Sequence, residues 1–183
     1  MELFDVCDEF GNPTGEVTAR KVAHAKGLCH RTAHVWICEV SRESVKVLLQ
    51  KRAQGKDSFP GCYDTSSAGH IQAGDQPLES ALRELEEELG IKASAEELSF
   101  IGTFRILYES EFYGEVFKDN EVAYVYTYEK SVDPEMLQLQ QEEVEAVRWF
   151  DLEEVYQAVC RKDPAICVPE GGIRMIREYY HSR

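Results

Sequence analysis

The chain holds 183 residues, with 34 Asp and Glu against 20 Lys and Arg and a formal net charge of −14. That balance argues against a nucleic-acid polymer as partner, which would need a basic stripe, and no apolar run approaches the ~18 residues of a membrane span. A hydrophobic content of 43% with 30% charged residues fits a globular chain, and one α+β domain over residues 1–183 is expected, long enough to bury a proper core. From the N-terminus, Leu3–Cys7 and Glu16–Thr18 flank the turn-rich stretch Phe10-Gly11-Asn12-Pro13-Thr14-Gly15, which predicts a hairpin inside an N-terminal segment 1–27. Lys21–Lys26 reads as a short helix ended at Gly27, and Thr32–Val40 and Val45–Lys51 read as strands. A helix is expected over Pro77–Leu89, then strands at Phe100–Tyr108, Glu121–Tyr128 and Val144–Phe150, and helices near Leu152–Arg161 and Gly172–His181. Strands on both sides of one helix imply a mixed sheet with helices packed against it. The opening Met-Glu-Leu-Phe-Asp is no signal peptide. Six cysteines, at 7, 29, 38, 62, 160 and 167, form no CxxC pair, so buried thiols in a reducing cytoplasm are expected rather than disulfides.

The chemistry concentrates in the expected helix Pro77–Leu89. Leu78, Leu82, Leu85 and Leu89 make one apolar stripe, while at about 100° per residue Glu84, Glu87 and Glu88 share a displaced face. Pro77 suits a first turn and Gly90 the position after the last. At an effective dielectric of roughly 20, two like charges about 4 Å apart repel by about 4 kcal/mol. A divalent cation removes that cost, and clustered oxygens are what Mg²⁺ or Mn²⁺ prefers. A solvated acidic face is the ordinary reading of a Glu-rich helix. What argues against it is the arrangement: a loop Gly69-His70-Ile71-Gln72-Ala73-Gly74-Asp75 enters the helix, Arg83 precedes the carboxylates, and Gly90-Ile91 closes it.

Residues 69–91 resemble the Nudix box: glycine, five residues, Glu, seven residues, then Arg-Glu-apolar-x-Glu-Glu-x-Gly-apolar. Gly69, Arg83, Glu84, Glu87, Glu88 and Gly90 match, and Asp75 stands where the family has Glu. The resemblance implies an α/β/α sandwich with a mixed central sheet over nearly the whole chain. It also implies hydrolysis of a small-molecule phosphoanhydride with Mg²⁺ or Mn²⁺ on Glu84, Glu87 and Glu88, and Arg83 orienting a carboxylate. Glu84 is a candidate base, with Glu142 or Glu143 as the alternative. A homodimer is compatible with this fold.

Further stretches resemble the isopentenyl-diphosphate isomerase branch of that family: Leu48–Lys56, Phe59–Thr65, Gly69-His70 and Asp119-Asn120-Glu121-Val122, with His24 and His30 upstream. Carried over, His24, His30, His70, Asp119 and Glu121 become metal-ligand candidates, and Arg52 and Lys56 diphosphate-binding candidates. Arginine offers phosphate a planar fork and lysine a point charge. His34 is read as structural, as is each histidine more often than not when taken singly. The isomerase places a proton-transfer cysteine just before the glycine-histidine pair, where this chain has Ala68 after Ser66 and Ser67, and Cys62 is too distant to replace it. Hydrolysis is therefore favoured over isomerisation, and the intact carboxylates disfavour a non-catalytic binding module. Isoprenoid and nucleoside diphosphates stay open as substrates. Tyr108, Phe112, Tyr113 and Phe117 flank the approach to Asp119 and could stack on either, though packing is the commoner role.

Overall fold

The computed structural model describes residues 2–183; Met1, the first residue of the expected 1–27 segment, lies outside them. Strands β1 (Leu3–Cys7) and β2 (Pro13–Ala19) pair antiparallel as a separate ribbon. Their turn falls earlier than expected, because the Asp8 carboxylate accepts backbone N–H bonds from Phe10 and Asn12 at 2.9 Å and bends the chain there. Helix α1 (Arg20–Lys26) stops at Gly27, whose φ of 68° lets its N–H reach the Ala23 carbonyl.

The main sheet has seven strands. β3 (His30–Val40) pairs antiparallel with β4 (Val45–Arg52) and β6 (Ser67–His70), and parallel with β8 (Glu115–Tyr128). β4 also holds β5 (Tyr63–Asp64) and β9 (Val144–Asp151), while β7 (Leu98–Phe112) pairs with β8. The sheet is thus mixed, as expected. β5 and β6 escape a reading of hydrophobic period because they are two and four residues long, and β6 is Ser-Ala-Gly-His. β7 and β8 extend beyond the expected spans into a long hairpin closed by Tyr113-Gly114, both at positive φ as a two-residue turn between right-twisted strands requires.

Strand alternation sorts the core into two layers. Ala33, Val35 and Ile37 of β3 pack with Leu48 and with Ala81, Leu85 and Leu89 of α2 (Pro77–Leu89). Trp36 and Cys38 face the other way, with Val47, Leu49 and Val125, onto α3 (Leu152–Cys160) and α4 (Glu170–His181) through Leu152, Val155, Ile173 and Ile176. The period of two in β3 is therefore what makes three layers. All four leucines of the expected stripe pack on the layer beneath α2, Leu78 and Leu82 half-buried at its edge, and Ser80, Ala81 and Glu88 also turn inward. Leu85→Ala would leave a cavity costing about 2–5 kcal/mol.

The even-numbered face of β3 changes character along its length. Trp36 and Cys38 lie under α3 and α4, whereas His30, Thr32 and His34 continue the same face toward α1. Register places His30 beside Glu121 of β8, and Thr32 and His34 beside His70 and Ala68 of β6. A polar cluster thus rests on the continuation of an apolar core.

Candidate active site and metal centre

A cavity of about 270 Å³ opens where α1, β3, β6, β8 and α2 converge, and both groups of carboxylates line it. On the α2 side, Glu88 is buried, and its Oε2 accepts from Ser67 Oγ at 2.7 Å and from Gln50 Nε2 and the Ala68 N–H at 3.2 Å. Burial, only partly offset by the Ser67 hydroxyl, pushes this carboxyl up to about 8. Glu84 is also raised by burial, against the pull of Arg83, whose guanidinium donates to Glu84 Oε1 at 3.1 Å. The same guanidinium donates to Asp75 at 2.7 Å and to the His70 carbonyl at 3.2 Å, so the shorter Asp75 side chain still reaches it. Glu87 is exposed at the rim. Gly69 makes room for Glu84: a Cβ there would lie 2.1 Å from Cδ of Glu84 and displace that carboxylate. Gly74, at φ 87°, turns the loop, and Gly90, at φ 72°, caps α2.

Glu84, Glu87 and Glu88 share the cavity, yet their oxygens do not converge into a group of coordination size among the described residues. Each of the inner two has an oxygen tied to its own donor, which separates like charges. The groups that do converge, with ligand atoms within 4.8 Å of one another, are His24 with His30 and His70, and His30 with Asp119 and Glu121.

That second cluster has a specific electrostatic fault. His30 Nδ1 lies 2.9 Å from the Leu28 carbonyl, which accepts its proton and turns Nε2 toward the cluster. Nε2 of His30 and Nε2 of His70 both lie 3.5 Å from Glu121 Oε1, but neither has a hydrogen-bond partner, and the same holds for both nitrogens of His24 and for Asp119 Oδ1. Burial, with His70 and His30 close by, pushes His24 down to about 4, and burial lowers His70 as well. Burial and the adjacent Glu121 push Asp119 up to about 9, while contact with His30 and His70 holds Glu121 low despite its burial. Although His24 Nδ1 lies 3.6 Å from Asp119 Oδ1, these directions make the pair neutral rather than ionic. Buried polar atoms without a partner cost free energy, and a cation seated among them would relieve that cost. A mixed nitrogen and oxygen donor set of this kind suits a divalent ion such as Mn²⁺, Mg²⁺ or Zn²⁺.

The candidate phosphate contacts also line the cavity, already engaged. Arg52 donates to Asp64 at 3.1 Å and to the Ser58 carbonyl and hydroxyl at 3.0 and 3.2 Å, and Lys56 is ion-paired with Glu143. Glu143 thus faces the cavity and Glu142 is exposed outside it. Sequence reasoning missed Arg20, which bridges Glu2 and Asp57 at 2.9 Å each and lines the same space. Its signal was faint: one arginine opening a short helix four residues before His24. His34, read as structural, also reaches the cavity wall, with Nε2 3.3 Å from Thr32 Oγ1, and that hydroxyl donates to Glu121 Oε2 at 3.0 Å. Of the aromatics, Tyr108 and Phe117 line the cavity, Phe112 packs on Phe59, and Tyr113 is 73% exposed at the hairpin turn. Of the six cysteines, only Cys7 and Cys38 are buried and Cys160 is exposed, a correction to the expectation of buried thiols throughout.

The NUDIX domain family matches residues 30–168. Over 167 residues, 90% of this chain, the sequence is 40% identical to Nudix hydrolase 3 of Arabidopsis thaliana, and the chain spans only 21% of that relative's length. An uncharacterized Nudix hydrolase of Clostridium acetobutylicum is 35% identical over 84% of this chain and 72% of its own. In shape, the chain is similar to the crystal structure of DR0079 from Deinococcus radiodurans, with a TM-score of 0.66 at 15% identity over 87% of this chain and 90% of the other. At that identity the likeness speaks to fold alone.

Proposed function

We propose that this chain, which belongs to the NUDIX domain family, hydrolyses a phosphoanhydride in a small diphosphate, by attack of water at phosphorus in the cavity between α2 and α1. The observation that carries this reading is the joint lining of one cavity by Glu84, Glu87 and Glu88, by His24, His70, Asp119 and Glu121 of the histidine cluster, and by Arg20, Arg52 and Lys56. Carboxylates and histidines in that setting hold divalent cations, and the three cations answer the negative charge of a diphosphate. Bound Mg²⁺ or Mn²⁺ supplies charge neutralisation at the phosphate oxygens and a more acidic water.

The chain's own residues have separable tasks in this reading. Ser67, Gln50 and the Ala68 N–H hold one oxygen of Glu88 and leave the other free to ligate. Arg83 fixes Glu84 against Gly69. Glu84 or Glu143 takes the proton from the attacking water; both line the cavity, and Glu142 does not. His24, His30, His70, Asp119 and Glu121 form a second metal centre, which relieves the unpartnered nitrogens described above.

A volume near 270 Å³ lies below the usual range for drug-sized ligands, about 300–1,000 Å³. Phe59, Tyr108 and Phe117 form an apolar wall that suits either an isoprenoid chain or the face of a base. Isomerisation is disfavoured. Ala68 offers no thiol, and the one cysteine on the wall, Cys167, is pushed well up by burial and donates to the Tyr63 carbonyl. The test is phosphate release across isoprenoid, nucleotide and sugar-nucleotide diphosphates, with Mg²⁺ and Mn²⁺ compared. Metal-dependent release from one of these classes is expected. Double-bond migration in isopentenyl diphosphate without phosphate release would overturn the hydrolytic reading.

A further inference from the structure

Cys7 and Cys29 stand 22 positions apart in sequence and in contact in space, with Sγ to Sγ 3.4 Å and the Cys7 N–H bonded to the Cys29 carbonyl at 2.9 Å. Cys7 ends β1, and Cys29 immediately precedes β3. The segment between them holds β2 and α1, and so brings Arg20 and His24 to the cavity. Cys62 and Cys167 also lie within reach of each other, but Cys62 donates to the Pro164 carbonyl and Cys167 to the Tyr63 carbonyl, while Cys38 is enclosed in the core against the Trp36 carbonyl. The ribbon β1–β2 pairs only with itself, so its attachment to the main sheet depends on packing and a few polar contacts such as Arg31 to Asp5 at 2.9 Å.

We propose that Cys7 and Cys29 form a reversible intramolecular disulfide that straps the Arg20- and His24-bearing segment over the cavity. The two backbones are already neighbours, so the bond needs only an approach of the sulfur atoms. Cys29, half-exposed, attacks one sulfur of a low-molecular-weight disulfide, releasing the first thiol. The buried Cys7 sulfur then displaces the second thiol from the mixed disulfide. Two protons and two electrons pass from the cysteine pair to the small disulfide, which is reduced to two thiols. Cys29 is the more exposed of the two and so reacts first. The closed loop limits how far α1 can move from the sheet, so opening of the cavity on that side becomes rarer. None of this depends on the hydrolysis proposed above.

The folded chain is titrated with oxidised glutathione and followed by intact mass, non-reducing peptide mapping and hydrogen exchange. The expected result is loss of two hydrogens, a Cys7–Cys29 link that dithiothreitol reverses, and exchange across residues 7–29 slowed by about tenfold or more. Cys29→Ser abolishes the link, and Cys7→Ala leaves Cys29 carrying glutathione. A stable glutathione adduct on Cys29 in the unmutated chain, a link between Cys62 and Cys167 instead, or unchanged exchange in the bridged form would each overturn the proposal.

Discussion

The two ends of the cavity are built in opposite ways. The α2 end draws Glu84, Glu87 and Glu88 from little more than one helical turn, keeps Glu87 exposed, and ties the others to Arg83, Ser67 and Gln50. The histidine end collects its groups from α1, β3, β6 and β8, and leaves five of their polar atoms without a partner. Satisfied carboxylates can wait for a metal with little cost. Unsatisfied nitrogens cannot, because each buried unpaired polar group costs about 1–3 kcal/mol. Under the proposed function, this difference predicts a loosely held, substrate-linked ion on α2 and a tightly held one among the histidines.

The largest expected effect breaks the α2 end. Glu87→Gln and Glu88→Gln should each lower kcat by about a hundredfold or more with Mg²⁺ present, without loss of fold by circular dichroism. Phosphate release at the unmutated rate would remove these side chains from the reaction. At the other end, His30→Ala and His70→Ala should abolish metal that survives dialysis, read as metal-to-protein stoichiometry, while Glu87→Gln leaves it intact. If the two sets of variants lose the same ion together, the ends are one site.

A smaller effect sharpens the α2 side. Ser67→Ala and Gln50→Leu touch no substrate in this reading but unfasten Glu88, and should cost about ten- to a hundredfold in metal affinity. An affinity unchanged in both would mean that Glu88 is held by burial alone.

The smallest effect is on stability of the metal-free chain. Glu88 and Asp119 have folded values raised to about 8 and about 9 from 4.5 and 3.8, so their contribution is full below the unfolded values and lost as pH rises through the folded ones. His24, lowered to about 4 from 6.5, runs the other way: its contribution is lost as pH falls through about 4 and is complete above 6.5. Between pH 6.5 and about 8 only the carboxyl losses remain. Unfolding free energies from urea titrations with a chelator present should therefore fall across that window, by about 2 kcal/mol for Glu88, and divalent metal should flatten the decline. A free energy that rises with pH there would contradict the burial-driven shifts.

The same contrast explains what could be read without coordinates. The α2 end is legible because its residues are local: Pro77 and Gly90 mark the helix limits at the observed positions, and the spacing of the glutamates follows from helix geometry. The histidine end has no local pattern. Its members are up to 97 positions apart, between His24 and Glu121, and only family resemblance gathered them. Arg20 was missed because nothing in its neighbourhood announces that α1 folds back over the sheet. The burial of Glu88 was also hidden, since the leucine stripe alone predicts an apolar inward face. β6 was invisible because backbone pairing alone with β3 defines it.

The alternation of β3 binds architecture to chemistry more tightly than either end shows alone. Inserting one residue between Val35 and Trp36, with Trp36 kept in its seat, would turn Arg31, Ala33 and Val35 toward α1 and send His30, Thr32 and His34 into the leucine layer beneath α2. Such a chain would have no partial phenotype to tune. A library of single insertions and deletions along this strand would separate into two classes, intact and collapsed, with metal uptake and solubility vanishing at the same positions.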